Sequence, residues 1–155
     1  MALVRILVDG YSLLHNWTEL APGAARHSEV ARDALVEMLT HYQDVKGTPV
    51  TVFFDGAGSR RSKPERAVAG TVEVLFSRTG QTADDLIERA ALRFQDYGEV
   101  LVVTDDHAER NMVSGFGGSV ASCDNFIRMI GGALSELQDN LKQHNRAERN
   151  RFSRS

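Results

Sequence analysis

The sequence predicts an α/β protein with a mostly parallel central sheet and helices on both faces. Short apolar runs alternate with longer segments whose apolar residues repeat at helical spacing, in the order βαββαβαβα. The first run, Leu3 to Val8, is apolar almost throughout, which is typical of a strand buried on both faces of a parallel sheet. We therefore predict one three-layer α/β/α sandwich, for which 155 residues suffice.

Capping and turn residues define the individual elements. We predict strands over residues 3–8, 49–54, 71–76, 99–104 and 119–122. We predict helices over about 29–44, 83–97, 107–113 and 124–143, with N-caps at Ser28, Thr82 and Asp124. Gly47 and Gly98 follow two of these helices. The segments after the first strand and from Gly56 to Ala69 are rich in turn residues, so we expect loops there, the second of them mobile.

The charge distribution divides the chain more clearly than its net charge of −3. Residues 142–155 carry +4, which leaves −7 for the rest. We predict a domain over 1–143 and a flexible basic tail over 144–155. A second basic cluster consists of Arg60, Arg61, Lys63 and Arg66. Both segments are either ordinary solvated surface or cationic patches for a polyanion.

The single cysteine, Cys123, excludes an intrachain disulfide and a thiolate metal site. We expect it to behave as a small buried hydrophobe. The chain shows neither a leader-like start nor an apolar stretch long enough to cross a bilayer. A cytoplasmic location is the resulting expectation.

Carboxylates recur where the apolar runs stop. Asp9, Asp55 and the pair Asp105-Asp106 follow three predicted strands, and Asp84-Asp85 opens a helix after Thr82. Because the carboxyl ends of parallel strands share one edge, these acids would repel one another unless a cation lay between them. Oxygen ligands of this kind favour Mg²⁺ or Mn²⁺. Such an ion would polarise a phosphoryl group and activate water.

Each of these acids also has a purely structural interpretation. Asp85 stands at the N3 position of a capping box with Thr82, which would leave Asp84 freer to face the crevice. Asp105 and Asp106 are adjacent, so at least one should point away, and either could cap the next helix. Asp9-Gly10 could be an ordinary turn, and Asp55 could begin the following loop.

Four motifs together resemble the YacP-like branch of the NYN domains, which are PIN-like nucleases. They are Ile6-Leu7-Val8-Asp9-Gly10-Tyr11-Ser12, Phe53-Phe54-Asp55-Gly56, Gln81-Thr82-Ala83-Asp84 with Ile87-Glu88, and Val102-Val103-Thr104-Asp105-Asp106. The resemblance runs from about Leu3 to Leu137. It implies a PIN-like fold, a site that depends on Mg²⁺ or Mn²⁺, and RNA cleavage. By position it implies that Asp9, Asp84 and Asp106 are catalytic and bind the metal, with Asp55, Asp85 and Asp105 as further candidate ligands.

The chain departs from the family pattern at four positions. Ser12 stands where the family usually has Asn, and Gln81 where it has Glu. Asp105 replaces the Ser of a Ser-Asp pair, and Arg110 replaces a Gln. Gln81 removes one negative charge and Asp105 adds one, so we expect metal binding to survive. The effect on catalytic rate is left open.

The functional hypothesis is an endoribonuclease in RNA decay or processing, with water as the nucleophile and a 5′-phosphate on the product. Substrate contacts are predicted for Ser12, Arg60, Arg61, Lys63, Arg66 and Arg110. Weak sequence specificity would leave targeting to a partner such as the ribosome or an RNA-processing protein. We expect a monomer or a weak homo-oligomer. The alternative is a non-catalytic RNA-binding module of the same fold.

Overall fold

The computed structural model describes residues 3–56 and 71–152, the last three by their backbone alone. The strands are β1 (Leu3–Asp9), β2 (Val50–Phe54), β3 (Glu73–Phe76), β4 (Glu99–Val103) and β5 (Ser119–Ala121). The helices are α1 (Gly10–Asn16), α2 (Glu29–Lys46), α3 (Ala83–Phe94), α4 (His107–Gly115) and α5 (Cys123–Phe152), and a 3-10 turn (Gln95–Tyr97) continues α3. The predicted mobile loop at 56–69 lies outside the described residues apart from Gly56.

The five strands form one parallel sheet in the order β3-β2-β1-β4-β5. On one face, Ile6 and Val8 of β1 pack in a core with residues of α1, α2 and α5. On the other face, Leu7 packs with residues of α3 and α4. Successive side chains of a strand point to opposite faces, so a run that is apolar throughout supplies both cores. The predicted three-layer α/β/α sandwich is confirmed.

The central position of β1 creates the crevice in which a site can form. The chain leaves β1 for β2 through α1 and α2 on one face of the sheet. It reaches β4, the other neighbour of β1, through α3 on the opposite face. Ligands of open α/β sheets bind at such a reversal, beyond the carboxyl ends of the strands. The end of β1 and the start of the chain after β4 therefore share one crevice.

Two of the three predicted N-caps are confirmed. Ser28 accepts a hydrogen bond from the Ala31 N–H at the start of α2. Thr82 and Asp85 form a reciprocal capping box at the start of α3. The predicted end of α2 is also confirmed, because Gly47 adopts the left-handed conformation, with φ of 74°, that glycine favours at this position.

The helix α1 lies where the sequence predicted a turn and loop. Asp9 caps it, and its two leucines, Leu13 and Leu14, are fully buried. Its seven residues make only two turns, too few for helical periodicity to stand out from turn chemistry. Gly10 is required by close packing, since a Cβ there would overlap the Phe54 ring. It lies inside the helix and makes no sharp turn.

The last helix, α5, differs from its prediction at both ends. It begins at Cys123 because Ser122 Oγ, and not Asp124, accepts a hydrogen bond, from the Asn125 N–H at 3.1 Å. It ends at Phe152 and not near residue 143, and the intervening segment contains three Arg, one Glu and one Ala, which are good helix formers. The division into a domain and a flexible tail stays a prediction.

None of the helices in the described part of the chain is both long enough and apolar enough to span a bilayer.

Candidate metal centre

Asp9 stands where β1 passes directly into α1. Its Oδ1 accepts a hydrogen bond from the Ser12 N–H at 3.3 Å, so it caps the helix while half-buried at the sheet edge. Burial, together with the negative charges of Asp84 and Asp106 and against the opposing Ser12 hydrogen bonds, raises its pKa to about 6. A carboxylate in this position gains from any cation that comes near.

Asp84 is in the first turn of α3, beside the capping box. Asp85 Oδ2 accepts a hydrogen bond from the Thr82 N–H at 3.1 Å, and Thr82 Oγ1 accepts one from the Asp85 N–H at 3.2 Å. Asp85 is exposed, and its carboxylate is used in this capping box. Asp84 is half-buried, and one of its carboxylate oxygens lies close to those of Asp9 and Glu109. The expectation that Asp85 caps the helix is confirmed, and Asp84 faces the crevice.

Glu109 is an acid at this site that sequence reasoning missed. It lies in the first turn of α4 and is only 3% exposed. Its Oε2 accepts a hydrogen bond from Thr104 Oγ1 at 3.2 Å, while its buried Oε1 has no hydrogen-bond partner in the described part of the chain. Burial, then the Asp84 carboxyl against it, then the charge of Asp9, raise the pKa of Glu109 to about 9.

The three acids converge although each comes from a different element. One carboxylate oxygen from each of Asp9, Asp84 and Glu109 lies within 4.8 Å of the others. Burial first, and then the hydrogen bond with the Asp84 carboxyl and its charge, raise the pKa of Glu109, so the protonated form of Glu109 is favoured when no cation is present. An all-oxygen, all-carboxylate donor set suits a hard divalent ion such as Mg²⁺ or Mn²⁺. The residues present fit the predicted metal.

Asp105 and Asp106 both bind backbone N–H groups. Asp105 Oδ1 accepts a hydrogen bond from the Cys123 N–H at 2.9 Å, at the start of α5. Asp106 Oδ1 accepts from Ala108 and Glu109 N–H groups at 2.9 and 3.2 Å and so caps α4. Asp106 is exposed and is not one of the three converging acids, but its charge still reaches Asp9. Its predicted role as a metal ligand stays a prediction.

Asp55 connects the ends of two strands. Its Oδ1 accepts a hydrogen bond from Ser77 Oγ at 3.1 Å, and the same hydroxyl accepts one from the Gly56 N–H at 3.0 Å. A Cβ at Gly56 would overlap the Ser77 carbonyl, so this close approach requires glycine. Asp55 is exposed and lies outside the converging set. The hydrogen bond between Asp55 and Ser77 therefore links the residues that follow β2 and β3.

Comparison with known proteins identifies the family. The YacP-like NYN domain matches residues 6–155 of the chain. The chain belongs to the YacP-like NYN family. It is 31% identical over 126 residues to the uncharacterized protein YacP of Bacillus subtilis (strain 168), covering 81% of this chain and 74% of that protein. This confirms the resemblance drawn from the four motifs.

Solved structures support the same assignment. The crystal structure of Rae1 (YacP) from Bacillus subtilis aligns with a TM-score of 0.77 and 26% identity, covering 99% of this chain and 88% of that one. A point mutant of the same protein aligns with the same score and identity over 92% and 84%. The NYN fold is a PIN-like nuclease fold, and the acidic cluster lies at its sheet edge.

Three of the positions that depart from the YacP-like pattern lie within three residues of a converging acid in the sequence. Ser12 supports Asp9 through its backbone N–H and, more weakly, its hydroxyl. Arg110 is half-buried on α4, one turn after Asp106. Gln81 is half-buried before α3, and its N–H donates to the Arg78 carbonyl. The predicted substrate contacts of Ser12 and Arg110 stay predictions.

The remaining predicted substrate residues are Arg60, Arg61, Lys63 and Arg66, which lie outside the described residues. Cys123 is fully buried as expected. Burial, together with the charges of Asp105 and Asp9, raises the pKa of its thiol to about 12. It therefore stays a neutral thiol and adds no ligand to the carboxylate set.

Proposed function

We propose that this protein is a Mg²⁺- or Mn²⁺-dependent endoribonuclease in which Asp9, Asp84 and Glu109 hold the ion. The observation that carries the proposal is the convergence of these three carboxylates within 4.8 Å at the reversal point of a nuclease-type sheet. The buried Oε1 of Glu109 adds weight, because no N–H or hydroxyl of the described residues donates to it and the nearest ionisable neighbour of Glu109 is a second acid, Asp84. A divalent ion would supply the missing partner.

The residues around the acids prepare the site before substrate arrives. Thr104 is fully buried, donates its hydroxyl to Glu109, and accepts at the same oxygen from the Asp106 N–H at 3.1 Å. The Ser12 N–H fixes the Asp9 carboxylate. When bound, the ion would polarise the scissile phosphate and lower the pKa of water at the site. The protein's own contribution is to hold three acids together at the cost of their mutual repulsion.

RNA is the proposed substrate because the chain also carries basic groups suited to a polyanion. Arg110 lies one turn beyond Asp106. Lys142, Arg146 and Arg149 lie exposed on α5, about 28 Å or more along the helix from its start beside Asp105, where they could contact more distant phosphates. The basic cluster of residues 60–66 follows β2, whose end is next to that of β1. Contacts between these side chains and phosphates would make binding fall steeply with salt. We place the activity in the cytoplasm, directed by the ribosome or an RNA-processing protein.

The proposal is tested by incubating the purified chain with end-labelled RNA in Mg²⁺, in Mn²⁺ and with chelator. We expect cleavage that requires the ion and leaves 5′-phosphate ends. Asp84→Asn should abolish cleavage, while Asp33→Asn, which removes an exposed acid on α2, should leave it unchanged. Intact RNA under every metal condition, with candidate partners present, would favour the alternative of a non-catalytic RNA-binding module.

A further inference from the structure

Two histidine rings meet on the surface, apart from the acids of the metal centre. The Nε2 atoms of His15 and His27 are 3.2 Å apart, and both side chains are exposed. Their ring centroids are separated by 5.2 Å, with 66° between the ring planes. The two rings therefore meet through their ring-edge nitrogens. Without a metal, one ring donates its Nε2–H to the other.

Surrounding contacts hold His27 in place. Its ring packs on the Tyr11 ring with centroids 4.3 Å apart, and Tyr11 in turn packs on Phe54 at 5.0 Å. Arg32 donates to the His27 carbonyl at 2.6 Å and to the Tyr11 hydroxyl at 3.2 Å. His15 is in the last turn of α1, whose apolar face is fully buried. The pair is thus organised by contacts that do not depend on its own hydrogen bond.

A single arginine also fixes the segment between the two histidines. The Arg26 guanidinium donates to five backbone carbonyls, and these acceptors are Leu14, Trp17, Leu20, Ala21 and Ala24. Six charge-assisted hydrogen bonds from one side chain to these five carbonyls join the end of α1 to the segment before α2. Because the segment is ordered already, bringing the rings together costs little further entropy.

The spacing of the two nitrogens matches that of two ligands on one metal ion. Zn²⁺ binds imidazole nitrogen at about 2.0–2.1 Å with tetrahedral angles, which places two such nitrogens about 3.3 Å apart. The observed 3.2 Å requires almost no movement. Imidazole is a ligand for Zn²⁺, Ni²⁺ and Cu²⁺, whereas the carboxylate centre suits harder ions. We propose that His15 and His27 form a second, two-histidine site for a transition-metal ion of the Zn²⁺ type.

An ion bound to both rings would link His15 in α1 to His27, which directly precedes the N-cap of α2. Water would fill the remaining coordination positions, since both rings are exposed. Arg26 and Arg32 lie beside the pair, and their positive charge opposes the ion and limits its affinity. The inference concerns imidazole nitrogens that are not among the converging acids, and it does not rest on the proposed nuclease function.

The test is a Zn²⁺ titration of the untagged full chain against a chromophoric chelator, with saturating Mg²⁺ to occupy the carboxylate centre. We expect one Zn²⁺ to bind. His15→Gln and His27→Gln keep a hydrogen-bonding side chain but lose the imidazole, and each should weaken binding at least about tenfold. Cu²⁺ provides a second readout, because it quenches tryptophan fluorescence and Trp17, the single tryptophan, is two residues from His15.

Two control variants separate this site from other metal-binding groups. His41→Ala removes an exposed histidine on α2 whose Nε2 is 3.8 Å from Glu37 Oε1. Asp9→Asn removes one carboxylate from the carboxylate centre. Both should keep wild-type Zn²⁺ affinity and Cu²⁺ quenching. Circular dichroism should confirm that all variants fold. Equal Zn²⁺ affinity in the wild type, His15→Gln and His27→Gln, or loss of Zn²⁺ binding in Asp9→Asn alone, would overturn the proposal.

Discussion

Two groups of acids lie near the same sheet edge and have opposite surroundings. The cap acids, Asp85, Asp105 and Asp106, each accept hydrogen bonds from backbone N–H groups at the start of a helix. The centre acids, Asp9, Asp84 and Glu109, face one another, with the Ser12 N–H and the Thr104 hydroxyl as their hydrogen-bond donors among the described residues. Both groups come from the same acid-rich stretches of sequence.

The comparison shows that the groups around an acid determine its role more than the sequence motif in which the acid occurs. A carboxylate that accepts backbone N–H bonds and faces no other acid is already stabilised, and a cation adds little to it. Asp9 also accepts one such bond, from Ser12, but it is half-buried near other acids and its pKa is still raised. Carboxylates that face one another repel until a proton or a cation neutralises part of their charge. The pKa values of Asp9 and Glu109 are raised because both side chains are buried near other acids. The centre acids should therefore control metal-dependent activity, and the cap acids should control stability.

The largest expected effect separates the two groups directly. Asp9→Asn and Asp84→Asn should each lower RNA cleavage by more than about 100-fold, since even an outer partner of a metal site contributes about 10- to 100-fold. Asp85→Ala should cost about 1 kcal/mol of folding free energy through the lost cap and change cleavage only a few-fold. Cleavage rates and chemical denaturation measure the two effects. Equal loss of cleavage in both groups would remove the distinction.

Metal binding should release a proton from the centre. The pKa of Glu109 is raised to about 9, so the side chain is protonated at pH 7 in the metal-free protein and must lose that proton to the ion. Calorimetric Mn²⁺ titrations in buffers of different ionisation enthalpy should show close to one proton released per ion. Glu109→Gln should bind Mn²⁺ more weakly and release no proton. An unchanged proton count in Glu109→Gln would assign the proton to another group.

Stability of the metal-free protein should fall as pH rises. A carboxyl whose pKa is raised on folding stabilises the fold while protonated, fully so below its unfolded pKa near 4. For Asp9 this contribution is lost as pH rises through about 6. For Glu109 it is lost through about 9. We expect a loss of about 2 kcal/mol from Asp9 between pH 4 and 7, after a discount for solvent screening.

The control for this pH trend is Asp9→Asn, which cannot ionise. Urea denaturation across the pH range should show a flatter profile for this variant than for the wild type. Saturating Mg²⁺ should stabilise the wild type most at the higher pH values, because the ion compensates the charges that form there. A wild-type profile that parallels that of Asp9→Asn would contradict the raised pKa.

The smallest expected effect concerns the support of Glu109. Thr104→Val keeps the shape of the side chain and removes the hydroxyl that bonds to Glu109. We expect roughly a tenfold loss of Mn²⁺ affinity, the lower end of what an outer partner contributes. Thr104→Ser keeps the hydroxyl, so this variant should retain most of the wild-type Mn²⁺ affinity. Equal affinity in the Val and Ser variants would show that the hydroxyl does not position Glu109.

Much of the fold could be predicted because its signals are local. Strands buried on both faces appear as apolar runs, and Ser28 and Thr82 mark helix starts by hydrogen bonds to residues three positions on. The helix α1 was missed because seven residues carry little periodicity and its stability comes from burying Leu13 and Leu14. Such tertiary packing leaves no local signal.

The candidate site shows the same limit more sharply. Asp9 and Asp84 follow strand-end and helix-start patterns that can be recognised in sequence. Glu109 lies inside a helix and reaches the centre only because α4 packs against the sheet. One signal was present, since Glu109 is four residues before the buried Val113 and so shares the inward face of α4. A carboxylate on an inward helix face beside other acids was an available clue.

The most direct test of the central claim is the anomalous scattering of Mn²⁺ in crystals of the protein. The account predicts one or more Mn²⁺ peaks bounded by carboxylate oxygens of Asp9, Asp84 and Glu109, while Asp106 keeps its bonds to the Ala108 and Glu109 N–H groups. An Mn²⁺ peak held by Asp106 without contact to Glu109, or the absence of any peak at this edge, would contradict it.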